Sequence, residues 1–533
     1  MWAHAWTLRR LARDHAWPLD APEIAFPKGG AFSSIAPVHD ALSLPLQPVV
    51  GLVAAYNAGV LFHLVLGCVG GWALAIACRL SAPAALVAGT VFGLNAFALS
   101  YGVASAVVET ATGGWIALFF AAVIALARAP SAARAVACGA AFAVMGLANL
   151  YWAVMAALFS PLLALAVLWE RRRDGEPPLV RGHALWIPVS IAIAAVLYVP
   201  AIRALLGTYG GLLEGYDERK QELLHAGVMA KLGHDYGTLV GYLRPGKGTA
   251  AVHHGLDVLI QTTYAGWVAL ALAWVGYGRG VRRWALVGGV AMLLSFGPFL
   301  FLAPDSYRET VVPWWDWLRA GLPPTRMITS YVRFSVVTFM ALAVLAAAGV
   351  ERLVQRGAHW IVGPLVSLFV VGELWRFSPV PLPIPSAEAR IPQVSRELAT
   401  LPGEGAVIEW PQRYAGRDTE VSRYFFYQSA HWRPIPYDFA PTSYLPGAIE
   451  GNPFFAALER VTYGPEYESD AWTELSDAPP ESGVSVLRAM GFAYVALHPS
   501  FVDPARLADV RALLDAHLAK VWEGADGSGI WGI

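Results

Sequence analysis

Charge is what this sequence has least of. Asp, Glu, Lys and Arg make up only 14% of its 533 residues, hydrophobic residues make up 56%, and the mean hydropathy is +0.48. Soluble domains carry about 25% charge, so a string of ordinary soluble domains is excluded, and so is intrinsic disorder. Apolar surface on this scale needs lipid to cover it. Cysteine is scarce too. Cys68, Cys78 and Cys138 all lie inside apolar runs, which leaves no disulfide framework, zinc ribbon or iron–sulfur spacing. The net charge of −1 offers no global attraction to nucleic acid. There is also no Walker loop, no His-Glu-x-x-His and no usable dinucleotide fingerprint, so nucleotide-dependent chemistry has no support.

What is present divides into two parts. Residues 379–533 carry a net charge of −9, and the residues before them carry +8. In the first part, apolar runs long enough for a bilayer fall at about Val53–Cys78, Pro83–Leu99, Val107–Ala127, Ala133–Ala148, Leu150–Trp169, Leu185–Leu206, Val258–Tyr277, Trp284–Leu302, Val332–Leu353 and Trp360–Trp375. That is about ten helices in a bundle over 53–378. The runs at Pro83 and Ala133 are short enough to be re-entrant, and the pair flanking Asn149 could be one broken helix. Glycines spread through these runs suit close helix packing in lipid.

Arginines orient the bundle. Arg79, Arg128, Arg134, Arg171, Arg172, Arg173, Arg181, Arg279, Arg282, Arg283, Arg352 and Arg356 fall in alternating connections. The positive-inside rule places these in the cytoplasm. Loops 207–254 and 304–331, the first segment 1–52 and the tail 379–533 then lie outside. An outer first segment with no apolar core for a signal sequence leads to the expectation of an upstream span missing from this sequence. The tail follows the proline-rich hinge "PVPLPIP". It alternates short β-like runs (Ala406–Pro411, Arg433–Asp438, Tyr494–Pro499 and the closing "GIWGI") with helical patterns at 391–401, 421–429, 484–490 and 504–519. This is the pattern of an extracytoplasmic α/β domain.

Candidate chemistry gathers at the outer mouth. Asp14, Asp20, Glu23, His39 and Asp40 precede the first span, and Glu109 opens the third. An ionisable group at hydrocarbon depth is costly unless it is paired or faces a wet cavity, so Glu109 is a functional candidate, with an interfacial carboxylate as the plain alternative. Arg203, Arg326 and Arg333 are basic residues on the same side. A guanidinium can hold a phosphate through two parallel hydrogen bonds, and plain headgroup contact is the alternative. Glu373 reads as a snorkelling carboxylate. Trp314, Trp315, Trp317 and Leu318 read as an interfacial stretch, and "LEGYDERKQELLHAGVMAKLG" as an amphipathic surface helix. His225, His234, His253 and His254 share a loop without zinc spacing. His431-Trp432-Arg433 suits either sugar stacking or core packing, with Asp438 and Glu450 nearby, and His498 reads as a satisfied loop histidine.

Four stretches carry a family resemblance: "FPKGGAFSS…HDALSLPLQ…AYN" (26–57), "ANLYWAVMAALF" (148–159), "PTRMITSYVRFSVVTFMALAVLAAAGVERL" (324–353) and the tail series "GAVIEWP", "YFFYQSAHWRPI" and "LRAMGFAYVALHP". Together they resemble polytopic bacterial membrane proteins of the GT-C glycosyltransferase superfamily. The resemblance implies a mainly α, multi-span GT-C-like bundle with a C-terminal α/β domain, in the bacterial inner membrane. It implies transfer of a sugar from a polyprenyl-phosphate carrier to a glycan, lipid or protein acceptor on the outer face. An acidic residue of the first outer loop would be the base, with cations or a divalent metal ion at the leaving phosphate. Related proteins place an acidic pair before a Trp-rich stretch. Here that stretch, "MWAHAWTLRR", begins the sequence, so the pair would fall upstream of Met1. Asp40, Asp14 and Glu109 are then the catalytic candidates, with Arg333, Arg326, Arg203 and His39 on the substrate and phosphate side. No metal ligands are assigned. Two other readings stay open: a non-catalytic protein binding lipid-linked glycan or an assembly partner, and a transporter.

Overall fold

The computed structural model describes residues 1–16, 20–27, 29–31, 37–104, 107–173, 175, 182–200, 203, 238–244, 251–254, 257–260, 262–278, 280–297, 317–318, 320–321, 330–355, 361–377, 388–411, 420–437, 451–464 and 478–533. It divides the chain into two compact units. One holds Met1–Ser33, His253–Asp257 and Ala387–Ile533, and the other holds Ser34–Val252 and Val258–Ser386.

The larger unit is helical. Five described helices are long and apolar enough to cross a membrane: Leu52–Ala77, Val108–Arg128, Leu150–Arg173, Gly182–Pro200 and Tyr331–Gln355. A sixth candidate is a bent pair, Ala82–Gly93 and Ala98–Ala104, meeting at 49°. This is the short run at Pro83. Asn95 marks the break: its side-chain amide donates to the Phe92 carbonyl and its Oδ1 accepts from the Ala98 N–H. Shorter helices Ala132–Ala148, Trp267–Gly276, Arg282–Ser295 and Val362–Phe377 complete the described bundle. At Asn149 the backbone is extended, so Ala132–Ala148 and Leu150–Arg173 are separate helices.

The expected span at 258–277 is replaced by a strand, Asp257–Ile260, followed by a helix that starts only at Trp267. Its N-cap, Gly266, has φ +82°, which a β-carbon would oppose. The expected amphipathic helix near 212–232, with His225, His234, Trp314 and Trp315, lies outside the described residues.

Close approach is what the small residues of the bundle provide. A β-carbon at Gly67 would sit 3.0 Å from the Gly93 Cα, and one at Gly71 would sit 2.7 Å from the Ala88 carbonyl oxygen. Helices Leu52–Ala77 and Ala82–Gly93 therefore meet backbone to backbone. Helix Tyr331–Gln355 runs through the centre, with Val337, Met340, Val344 and Val350 buried. At one end of the bundle Glu170 accepts from Arg128 at 3.3 Å and Arg283 at 2.6 Å. This gathers residues from three arginine-bearing connections.

The smaller unit is α/β. Strand Ala406–Trp410 runs parallel to Phe492–Leu497, which pairs antiparallel with Gly529–Gly532 and through it with Ala519–Glu523. Alternation sets the two faces: Ala406, Ile408 and Trp410 join one apolar cluster, and Val407 joins the other. The amino-terminal segment belongs to this core. Trp2 and Trp6 stack at 5.6 Å inside it, and Trp6 Nε1 donates to Glu23 at 3.1 Å. Residues 433–437, expected as a β-like run, form no strand of the sheet; they bond to the amino-terminal segment instead, Ile435 N–H donating to the Glu23 carbonyl and Ala25 N–H to that of Tyr437. The strand Ala519–Glu523 and the helix Pro453–Tyr463 had no counterpart in the sequence reading.

Candidate functional site

The site in the larger unit is built on three breaks in helical structure. The first is the short helix Val108–Ala111, which carries Glu109. The second is Asn149, between two helices. Its amide donates to the Glu109 carbonyl at 3.0 Å, and Thr112 Oγ1 donates to the same oxygen at 2.7 Å. Trp152 Nε1 holds Thr112 Oγ1 at 2.8 Å. The backbone of Glu109 is thus fixed from two sides, and only its side chain is free to turn. The third is the 3₁₀ turn Tyr331–Phe334, which delivers Arg333 into the interior.

Arg333 is buried and donates from Nη2 to Glu109 Oε1 at 3.0 Å. Its guanidinium lies 4.3 Å from the centroid of Tyr151 and 6.0 Å from that of Tyr101. Cation–π contact partly offsets the loss of water around the charge. Two donors on this turn stay unused among the described residues: Arg333 Nε and Ser330 Oγ are buried without a hydrogen-bond partner.

Helix Pro37–Ser43 supplies His39 and Asp40, both buried. His39 packs on the face of Leu52–Ala77 that carries Tyr56, Gly59 and His63. Ring centroids are 5.0 Å from Tyr56 and 5.3 Å from His63, and a β-carbon at Gly59 would sit 2.5 Å from His39 Cε1. Spacings of three and four residues place these positions on one helix face. His63 is fully buried, and neither ring nitrogen has a hydrogen-bond partner among the described residues.

An open apolar groove of about 670 Å³ lies between Leu150–Arg173 and Arg282–Ser295, lined by Leu158, Phe159, Leu162, Leu293, Trp317 and Leu318. Its Phe159 meets Phe334, the neighbour of Arg333, with ring centroids 6.5 Å apart.

The structure therefore brings together His39, Asp40, Glu109 and Arg333. Asp14 belongs to the smaller unit, where it pairs with Arg10 at 3.4 Å on a solvent-facing helix end. Arg203 is exposed, and Arg326 lies outside the described residues. Tyr56, His63, Tyr101, Asn149, Tyr151 and Ser330 were missed in the sequence. Tyrosines and a histidine in an apolar run read as core or belt residues until the partner that crosses to them is known. Among the described residues no group of three or more His, Cys, Asp or Glu side chains is placed to hold a metal ion, and Glu109 is engaged by Arg333.

Other candidates resolve as structural. Glu373 does not snorkel. It accepts from Tyr264 Oη and Trp267 N–H, both at 2.5 Å, and from Val268 N–H at 3.0 Å, capping a helix start. Arg433 is buried, donates to the carbonyls of Leu398, Gly405, Leu401 and Pro402, and lies over Tyr494. His431 and His498 both bond the buried Glu409, at 3.3 and 2.5 Å. His431 Nδ1 accepts the Arg433 N–H, so its ring proton sits on Nε2 and points at Glu409. Burial pushes the Glu409 carboxyl up, but His498 and His431 together outweigh it and hold it down at about 2.

No protein-family model matches the chain, and no curated protein matches it. Solved structures do. The oligosaccharyltransferase AglB from Archaeoglobus fulgidus, in complex with an inhibitory peptide and a dolichol-phosphate, aligns with 99% of this chain and 70% of its own, at 12% identity and a TM-score of 0.50. The A. fulgidus oligosaccharyltransferase in complex with Zn and sulfate aligns with 99% and 68%, at 11% identity and a TM-score of 0.46. ArnT from Cupriavidus metallidurans, in the apo state, aligns with 100% and 92%, at 14% identity and a TM-score of 0.40. At this identity the likeness to AglB is one of fold. The chain is a multi-pass, mainly helical membrane protein with a GT-C-like fold and a small C-terminal α/β domain built on a four-stranded sheet.

Proposed function

We propose that this protein is a membrane glycosyltransferase that moves a sugar from a polyprenyl-phosphate carrier to an acceptor hydroxyl on the outer face of the inner membrane. The observation that carries the proposal is the buried Arg333. It lies near the rings of Tyr151 and Tyr101 and beside Glu109, with donors on its own turn that have no partner among the described residues. A desolvated guanidinium with free hydrogen-bonding capacity suits a phosphate oxygen. AglB, the neighbour in fold, was solved with a dolichol-phosphate, a ligand of this lipid-phosphate class. The apolar groove whose Phe159 abuts Phe334 suits the carrier's hydrocarbon chain.

In this reading Asp40 takes the proton of the acceptor hydroxyl. The acceptor oxygen attacks the anomeric carbon, and the bond from that carbon to the phosphate oxygen breaks. The bonding pair leaves with the phosphate, whose growing charge Arg333 stabilises. His39, packed against Tyr56 and His63 on the neighbouring helix, lies on the substrate side. The products are the glycosylated acceptor and the polyprenyl phosphate.

The test is turnover of lipid-linked sugar in membranes containing Asp40→Asn or Arg333→Gln. Loss of the base should cost on the order of 10²–10⁴-fold, and loss of the cation a comparable factor. Wild-type turnover in both variants would overturn the assignment. If the wild-type protein binds the carrier but never consumes it, the protein is a non-catalytic binder of lipid-linked glycan.

A further inference from the structure

Arg333 has its charge balanced by a carboxylate of its own chain. Glu109 does this through a single contact, Oε1 to Nη2 at 3.0 Å. Tyr151 and Tyr101 lie 4.3 and 6.0 Å from the guanidinium by ring centroid, and among the described residues Nε has no hydrogen-bond partner and is buried, as is Ser330 Oγ. A fork-like grip on a phosphate uses Nε together with an Nη. Nη2 is shared between that grip and Glu109. A phosphate seated there would also bring its own charge to within a few ångströms of the Glu109 carboxylate, and two like charges at that range in a poorly solvated site repel strongly. The Glu109 backbone cannot retreat, because Asn149 and Thr112 hold its carbonyl. Only the side chain can turn.

We infer that Glu109 is an internal stand-in for the substrate's phosphate, neutralising Arg333 in the empty site and giving it up when a lipid phosphate arrives. The inference rests on the glycosyl-transfer reading above. It adds that the donor arms its own site. Phosphate binding frees the Glu109 carboxylate from Arg333.

The experiment uses the full chain in phosphatidylcholine nanodiscs. Binding of farnesyl phosphate, farnesol and inorganic phosphate is followed by tryptophan fluorescence. Glu109→Gln removes the competing charge and should bind farnesyl phosphate tighter than wild type by roughly ten- to a hundredfold, the worth of one charge-assisted hydrogen bond. Arg333→Gln should lose that affinity, while farnesol binding stays the same in all variants. Without ligand Glu109→Gln should melt below wild type, and saturating farnesyl phosphate should close the gap. Should Glu109→Gln not fold, Glu109→Asp decides, because it keeps the charge but shortens the reach to Arg333. Inorganic phosphate binding as tightly as the lipid would assign the site to the free anion, and the lipid arm of the inference would fall. Glu109 variants binding no tighter than wild type, with Arg333→Gln still losing affinity, would overturn the stand-in role alone. Arg333→Gln retaining full affinity would overturn the phosphate assignment beneath it.

Discussion

A guanidinium near tyrosine rings is a different group from one in water. Arg333 has exchanged its hydration for nearby tyrosine rings and one carboxylate, and removing that carboxylate leaves a buried charge uncompensated. Such a loss typically costs about 3–5 kcal/mol. Glu409 shows the same economy with the sign reversed. Two imidazoles hold a fully buried carboxyl at about 2, below its ordinary value of 4.5. Because the folded value lies below the ordinary one, the stabilisation is complete above about pH 4.5 and is lost as pH falls through about 2. In detergent, acid unfolding followed by the fluorescence of the buried Trp410 and Trp531 should therefore be steep across that window in the wild-type chain. In Glu409→Gln the slope there should flatten, and at neutral pH the variant should be less stable by about 2 kcal/mol, the worth of a hydrogen bond to a charged group. An unchanged acid profile would mean that the pair of histidines does not govern this carboxyl.

At the scale of elements, the helix Trp267–Gly276 poses a problem that its neighbours solve. Ten residues rise about 15 Å, half a hydrocarbon core, so polar helix ends fall where water is scarce. Glu373 receives the N–H groups at one end, and Arg352 donates to the carbonyls of Val275 and Tyr277 at the other. Each side chain also complements the helix dipole. Glu373→Gln should lower the unfolding midpoint in detergent by about 5 °C, the effect of roughly 2 kcal/mol in a large domain. Thiol-reactive dye reports it directly, because Cys68, Cys78 and Cys138 are free and at least partly buried. A midpoint equal to wild type would show that Glu373 is not the cap that matters.

This helix also shows what the sequence could and could not disclose. Span positions were legible because twenty apolar residues have few alternatives. The start at Trp267 was less so: Gln261-Thr262-Thr263 and Gly266 interrupt the apolar run from Val258, but the cap that fixes the start, Glu373, lies over a hundred residues later. Pro453–Tyr463 carried a readable signal, Asn-Pro at its start, which Asn452 uses to cap Phe454 and Phe455. The site divides in the same way. Glu109 and Arg333 stood out because charges are rare in apolar runs. Tyr56, Tyr101 and Tyr151 did not, because their role exists only once distant helices meet.

For the whole molecule, the arginine pattern and the ion pairs bear on one question, which end of the bundle faces which side. Glu170 draws Arg128 and Arg283 to itself from separate connections, so charges assigned to one side by counting do converge on one carboxylate. Arg171 reaches the Arg128 carbonyl, and His183 lies 2.8 Å from the carbonyl of Ala127, tightening the same end. With the positive-inside rule this end is expected in the cytoplasm, and the acidic α/β domain outside. The arrangement is testable without disturbing the site. In a variant with its three native cysteines changed to alanine, a single cysteine is placed at Lys520 or at Arg173, both exposed. In intact cells with a permeabilised outer envelope, a membrane-impermeant maleimide should label the Lys520→Cys protein. It should reach the Arg173→Cys protein only after the inner membrane is broken. The reverse pattern would turn the bundle over. It would put Asp40, Glu109 and Arg333 out of reach of an acceptor on the outer face, and the transfer proposed above would have to take place on the cytoplasmic side.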